Sequence, residues 1–228
     1  MTGTGNHVKI KILLYALTLV SVVLLVFLLT QIQQSRNNSP SVVFEKGRQD
    51  DGLRVAINPG DAFGGDFTMI DHTGREVTQD SWPDNYRLMF FGFSHCPDIC
   101  IAALIKIEDV LEKMQEKQAA EITPIFITAD PERDTPEVIT GFLSDFDPAF
   151  VGLTGNREQV DHIIGLFRVY ARRADPPDSE STENYLIDHS AYIYFLAPDG
   201  KALAIFRESD RAEDMAHDLD TLIKRHGS

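Results

Sequence analysis

The sequence predicts an α/β domain, a central mixed sheet flanked by helices, behind a single N-terminal transmembrane helix. Three observations carry this prediction. Two largely apolar runs of strand length, residues 88–93 and 122–128, enclose a helical stripe. Further helical stripes alternate with extended segments as far as the C-terminus. The chain also opens with a long apolar run that contains no charge.

That run extends from Ile12 to Thr30 and is dominated by Leu, Val, Ile and Phe. At 1.5 Å per residue it makes a helix of about 28 Å, enough to cross a bilayer. Lys9 and Lys11 abut it on one side, and Arg36 is the only base close behind, so leader residues 1–11 stay in the cytoplasm and the rest is exported. The run is longer than a signal-peptide core, and Leu28-Leu29-Thr30-Gln31-Ile32-Gln33 offers no small-x-small cleavage site. Residues 12–30 therefore read as an uncleaved anchor. No cysteine follows to carry a lipoprotein anchor, and the all-round apolarity argues against a buried core helix. The leader lacks Arg-rich transit character, which favours a bacterial inner membrane, with the C-terminal domain in the periplasm, over a mitochondrial one.

Residues 31–51 turn polar and read as a flexible tether; the folded domain runs over residues 52–228. With 43% apolar and 25% charged residues, the 228-residue chain is no disordered protein. Its formal net charge of −14 argues against nucleic-acid binding and against adsorption of the folded part to anionic headgroups. No internal repeat is present.

Within the domain, the Gly64-Gly65 turn, the short run Phe67 to Ile70 and the turn His72-Thr73-Gly74 predict an early hairpin. Between the two apolar strands, Cys100, Leu104, Ile107, Leu111 and Met114 form a stripe spaced 4, 3, 4, 3, completing a strand-helix-strand unit. A second helix starts at Thr135 as N-cap with Pro136 behind it, and is expected to bury Val138, Ile139, Phe142, Leu143 and Phe146. A third opens at Asn156 and shows Val160, Ile163, Ile164 and Phe167. Asp175 to Asn184 reads as a polar surface loop. Residues Ala191 to Leu196 and Ala202 to Phe206 make a hairpin through Pro198-Asp199-Gly200, and Met215, Leu219, Leu222 and Ile223 line the last helix.

The only two cysteines, Cys96 and Cys100, lie where a strand gives way to a helix. They are too few for a disulfide scaffold or an all-cysteine zinc site. Pro97 at the first helical position places Cys96 at the N-cap, where free amides and the helix dipole stabilise a thiolate. Cys100 lies one turn on, so both sulfurs can meet on a disulfide or on one metal ion. A structural bridge closing so small a loop would restrain little of the unfolded chain, which leaves redox chemistry and metal binding. Two thiolates suit soft or borderline ions such as copper or zinc, with at least one further protein ligand.

Among the seven histidines, His189 is the favoured candidate, in Asp188-His189-Ser190 just before the strand that begins at Ala191. His95, beside Cys96, is its rival. Spacing alone leaves open whether His189 is a ligand or a hydrogen-bonding surface residue.

The segments Gly64-Gly65-Asp66-Phe67, Phe91 to Cys100, Asp130 to Pro136, Gly152 to Gly155 and Tyr185 to Ser190 together resemble the Sco/SenC family of membrane-tethered copper proteins. The resemblance covers essentially the whole exported domain. It implies a thioredoxin-like fold, a role in assembling the binuclear copper site of cytochrome c oxidase, and copper ligation by Cys96, Cys100 and His189. One departure is Ile101, which stands where the family pattern has proline. The segment Asp130 to Asp134 reads as the cap of the following helix rather than a support of the site.

The leading expectation is a copper chaperone. Its partners would be the copper-receiving subunit of the oxidase, a further copper chaperone or thiol reductase, and the membrane through the N-terminal helix. The alternative is a thiol-disulfide oxidoreductase with Cys96 as nucleophile and Cys100 as resolving thiol. The two separate on His189, which ligation requires and exchange does not. A peroxidase would demand rapid oxidation of Cys96 by peroxide.

Overall fold

In the computed structural model, described over residues 21–27, 30, 63–174 and 185–226, the chain forms two units, Met1–Val42 and Val43–Ser228. In the first, residues 21–27 are helical and exposed. Among the described residues no helix is long and apolar enough to cross a membrane. The remainder of the expected anchor apart from Thr30, the tether over residues 31–51 and the loop Asp175 to Asn184 lie outside the described residues.

Among the described residues of the second unit, the first strands form the expected hairpin, β1 (Thr68–Asp71) and β2 (Glu76–Thr78), paired Met69 with Val77. Gly74 turns it at φ 85°, a left-handed conformation that glycine adopts without strain. Strand β3 (Tyr86–Gly92) runs parallel to β4 (Ile122–Thr128), with α1 (Ile99–Lys113) and the short α2 (Glu116–Ala119) between them. Then come α3 (Pro136–Leu143), β5 (Val151–Thr154) and α4 (Arg157–Phe167). A separate hairpin pairs β6 (Ala171–Ala174) with β7 (Leu186–His189). The chain ends with β8 (Tyr192–Leu196), β9 (Ala202–Arg207) and α5 (Ala212–His226).

Seven strands form one mixed sheet in the order β2-β1-β5-β4-β3-β8-β9, with β3, β4 and β5 parallel and β1, β8 and β9 antiparallel to their neighbours. The central strands read as continuous apolar runs because both their faces are covered. Leu88 and Phe90 of β3 enter one core with α1, α3 and α5 residues such as Leu104, Ile139 and Leu219. Met89 and Phe91, pointing the other way, enter a second core with Val160, Ile163 and Phe167 of α4.

The helix starts follow the sequence signals. Thr135 accepts the Val138 amide, with Pro136 in the first turn, and Asn156 forms a reciprocal capping box with Gln159. The prediction for α3 needs two corrections, the first being that the helix ends at Leu143 and leaves the half-buried Phe146 beyond it. Ile139 and Leu143 are buried and Phe142 is half-buried against them, but Val138 is 37% exposed, because the helix rests on the sheet through a narrower stripe than its composition suggested.

Candidate metal centre

The site is assembled at the C-terminal end of β3, where the chain leaves the sheet for α1. Gly92, the last strand residue, is required by space: a Cβ there would sit 2.7 Å from Cys100 Sγ and 3.0 Å from Phe90. The following loop turns through a hydrogen bond from the Cys96 amide to the Phe93 carbonyl at 3.2 Å. The helix then begins at Ile99, with Asp98 as N-cap and Ala102 N–H to Asp98 carbonyl as its first bond. Cys96 is therefore two residues ahead of the cap, not at it, because the non-helical backbone of Asp98 delays the helix. The expected electrostatics survive the shift, since the amides of Asp98 and Cys100 still donate to the Cys96 sulfur.

Cys100 lies in the first turn of α1 with no exposed surface, facing Leu104 and Ile107 on the buried stripe. Ile101 beside it is 39% exposed. Its amide precedes the first intrahelical bond, so the position holds isoleucine or proline without loss of a helical hydrogen bond.

His189 is the last residue of β7, paired with Ala171, rather than a loop residue directly before the next strand. Its Nδ1 lies 3.2 Å from the Ser190 carbonyl and donates to it, which leaves the Nε2 lone pair facing Cys100 Sγ at 3.4 Å. The rings of Phe90 and Phe93 meet the imidazole edge-on at centroid distances of 6.0 and 5.8 Å. The donor atoms of Cys96, Cys100 and His189 all lie within 4.8 Å of one another. Among the described residues no other three histidine, cysteine or acidic side chains come this close.

Neither cysteine is in a disulfide. The hydrogen bond from Cys100 is the largest influence on Cys96; with help from the backbone amides of Asp98 and Cys100 it outweighs burial and holds the Cys96 thiol down to about 4. The same bond, together with burial, pushes Cys100 far up. The metal-free pair at neutral pH is thus a thiolate at Cys96 and a buried thiol at Cys100. The apolar pocket and two adjacent sulfur donors with one imidazole suit a soft or borderline ion.

The rival His95 is turned away. Its side chain is 51% exposed, and its Nδ1 lies 2.9 Å from Ser94 Oγ and 3.8 Å from Asp134. His72 accepts the Gly152 amide at 3.1 Å, and His162 bonds the Asp66 carbonyl at 2.9 Å, both outside the donor set.

The role expected for Asp130 to Asp134 is overturned. Thr135 caps α3, while both carboxylates are fully buried and reach towards the site loops. Asp134 accepts the Ser94 amide at 3.0 Å, the Ser94 hydroxyl at 2.5 Å and the Thr128 hydroxyl at 2.6 Å. Asp130 accepts the Tyr185 hydroxyl at 2.6 Å and the Arg133 guanidinium. Burial and this bond to Asp130 push the Tyr185 hydroxyl up to about 12. The segments that carry the family resemblance contain Gly92, Phe93, Ser94, Asp130, Asp134 and Tyr185, but nothing in the sequence pairs these residues across 40 and 55 positions or marks Phe90, Phe93 and Gly92 as the walls of the site.

The SCO1/SenC family model matches residues 55–224. The human mitochondrial SCO1 homolog is 37% identical over 159 residues, covering 69% of this chain and 52% of that protein. A Rickettsia felis SCO2-like protein is 41% identical over 143 residues, covering 63% of this chain and 68% of that protein. The structure of Bradyrhizobium japonicum ScoI with copper bound superimposes with a TM-score of 0.63 at 38% identity, over 71% of this chain and 99% of that one. The chain spans about half the length of the human relative. With the family model covering most of the chain, and the fold agreeing with that of ScoI, the chain belongs to the SCO1/SenC family.

Proposed function

We propose that this chain binds copper through Cys96, Cys100 and His189 and delivers it to the binuclear copper site of cytochrome c oxidase during assembly. The observation that carries the reading is the convergence of three donors of the right softness within 4.8 Å at the C-terminal end of the interior strand β3. The copper-bound state of ScoI, a relative matched over nearly its whole length, supports the same cargo here.

The geometry divides the labour among the donors. Cys96 stands ready as a thiolate on a loop between exposed His95 and Pro97, where an acceptor's ligand can approach. Cys100 must give up its proton as copper enters, so loading releases a proton and strengthens with pH. His189, held by the Ser190 carbonyl and two phenylalanine edges, presents Nε2 without a change of tautomer. Delivery is then stepwise exchange of these ligands for those of the receiving oxidase subunit.

We place the domain in the periplasm of a bacterium, tethered by residues 31–51 to an inner-membrane anchor over residues 12–30, on the strength of the apolar run and its flanking lysines. Anaerobic titration of the reduced full-length chain with copper(I) tests the reading. One tightly held copper per chain, weakened in Cys96→Ser and His189→Ala, is expected; a wild-type chain that binds none sinks it.

A second reading, thiol-disulfide exchange on the target's cysteines, is favoured by the asymmetry of the pair. A low-lying Cys96 is the attacking thiolate and a high-lying Cys100 the resolving thiol. It predicts that His189→Ala leaves reduction of a disulfide peptide at the wild-type rate.

A further inference from the structure

Among the described residues, the hairpin that carries His189 is a two-stranded sheet with no ladder to the seven-stranded one. An isolated hairpin is marginal in water, so the position of His189 depends on side-chain contacts that pin β6 and β7 to the rest of the domain. The Cys96 loop has a similar problem, because it lies between the end of β3 and the start of α1. Both are tied to the same short segment after β4.

On the cysteine side, the buried Asp134 carboxylate takes three hydrogen bonds: the Ser94 amide, the Ser94 hydroxyl and the Thr128 hydroxyl. With the Ser94 proton given to Asp134, His95 Nδ1 is left to donate to Ser94 Oγ at 2.9 Å, which draws His95 away from the sulfurs. On the histidine side, Tyr185 immediately precedes β7. Its hydroxyl donates to buried Asp130, and its ring lies between two guanidiniums, Arg133 at 3.7 Å and Arg173 of β6 at 3.9 Å. Within the segment, the Asp134 amide donates to the Asp130 carbonyl at 2.9 Å. Thr128 accepts the Asp130 amide at 2.8 Å while donating to Asp134, so the two arms share one rigid turn.

We propose that Asp134 and Tyr185 are positioning residues: through the common turn 130–134 they fix the spacing between the Cys96 loop and the His189 strand, and thereby the dimensions of the donor set. The proposal rests on the copper reading above. It assigns each residue to one half of the site, Asp134 to the cysteines and Tyr185 to the histidine.

This division supplies a test that loss of stability does not mimic. Copper(I) affinity of the full-length chain is measured anaerobically by competition with a chromophoric chelator. Tyr185→Phe, which keeps the ring between the guanidiniums and removes the hydroxyl, is expected to weaken binding about tenfold. In the His189→Ala background the same change is expected to cost less than about twofold, because the donor it positions is gone. Asp134→Asn is expected to weaken binding in both backgrounds. Val160→Ala, a core change on the opposite face of the sheet, lowers stability and leaves affinity unchanged. Equal effects of Tyr185→Phe in the two backgrounds, or wild-type affinity in both positioning variants, would overturn the proposal.

Amide hydrogen exchange of the metal-free chain separates this failure from failure of the copper reading. Tyr185→Phe should accelerate exchange in β7, and Asp134→Asn should do so at Ser94. If wild type binds no copper, the copper reading falls, and unchanged exchange would remove the positioning role as well.

Discussion

Gly92→Ala puts the close packing of the site to a quantitative test. A Cβ at this position would lie 2.7 Å from Cys100 Sγ, 3.0 Å from Phe90 and 3.1 Å from Phe126. Ordinary contacts between such atoms lie at about 3.5–4.0 Å, so the sulfur must retreat by about 1 Å or the two rings must part. None of these side chains has exposed surface into which to move. Overpacking of this kind costs about 1–3 kcal/mol, to be read as a lower urea midpoint at unchanged slope. Displacing one donor of three by that distance should also weaken copper(I) binding by about 10–100-fold. Gly141 supplies the control: it lies inside α3 and a Cβ there meets nothing within 4 Å. Gly141→Ala should raise stability by about 0.5–1 kcal/mol and leave copper binding alone. A Gly92→Ala chain with wild-type stability and wild-type copper affinity would refute the packing argument.

Other outcomes follow from the same geometry. Because Cys96 titrates lower in the folded chain than in the unfolded one, its stabilising contribution is complete above the unfolded value near 9 and is lost as pH falls towards about 4. The stability difference between the reduced metal-free chain and Cys96→Ser should therefore grow with pH across that window; a flat difference contradicts the assignment. Alkylation under the same conditions should modify Cys96 first and leave Cys100 largely protected, as peptide mapping would show. Leu104→Ala, emptying a fully buried position on α1, should cost about 2–5 kcal/mol in urea unfolding. Thr135→Ala removes the cap of α3 and should cost about 1 kcal/mol by the same measurement.

What was legible in the sequence and what was not divide along physical lines. Strands β3 and β4 were visible because burial on both faces demands unbroken apolar runs, and the starts of α3 and α4 because Thr135 and Asn156 cap them locally. The β6–β7 hairpin was missed: Ala-Arg-Arg-Ala carries no strand pattern, since its two arginines are exposed and Arg173 is held through Tyr185 rather than by alternating burial. Val138 was misassigned because apolarity does not say how wide a stripe the sheet accepts. Cys96, Cys100 and His189 emerged from chemistry and family resemblance together. Their supports could not, because Ser94 meets Asp134 across 40 residues and Tyr185 meets Asp130 across 55.

X-ray absorption spectroscopy of the copper(I)-loaded full-length chain, compared with His189→Ala, tests the central claim most directly. The account predicts a first shell of two sulfurs and one nitrogen, with the nitrogen contribution lost in the variant. A sulfur-only shell in the wild type, or a nitrogen contribution that survives His189→Ala, would contradict it.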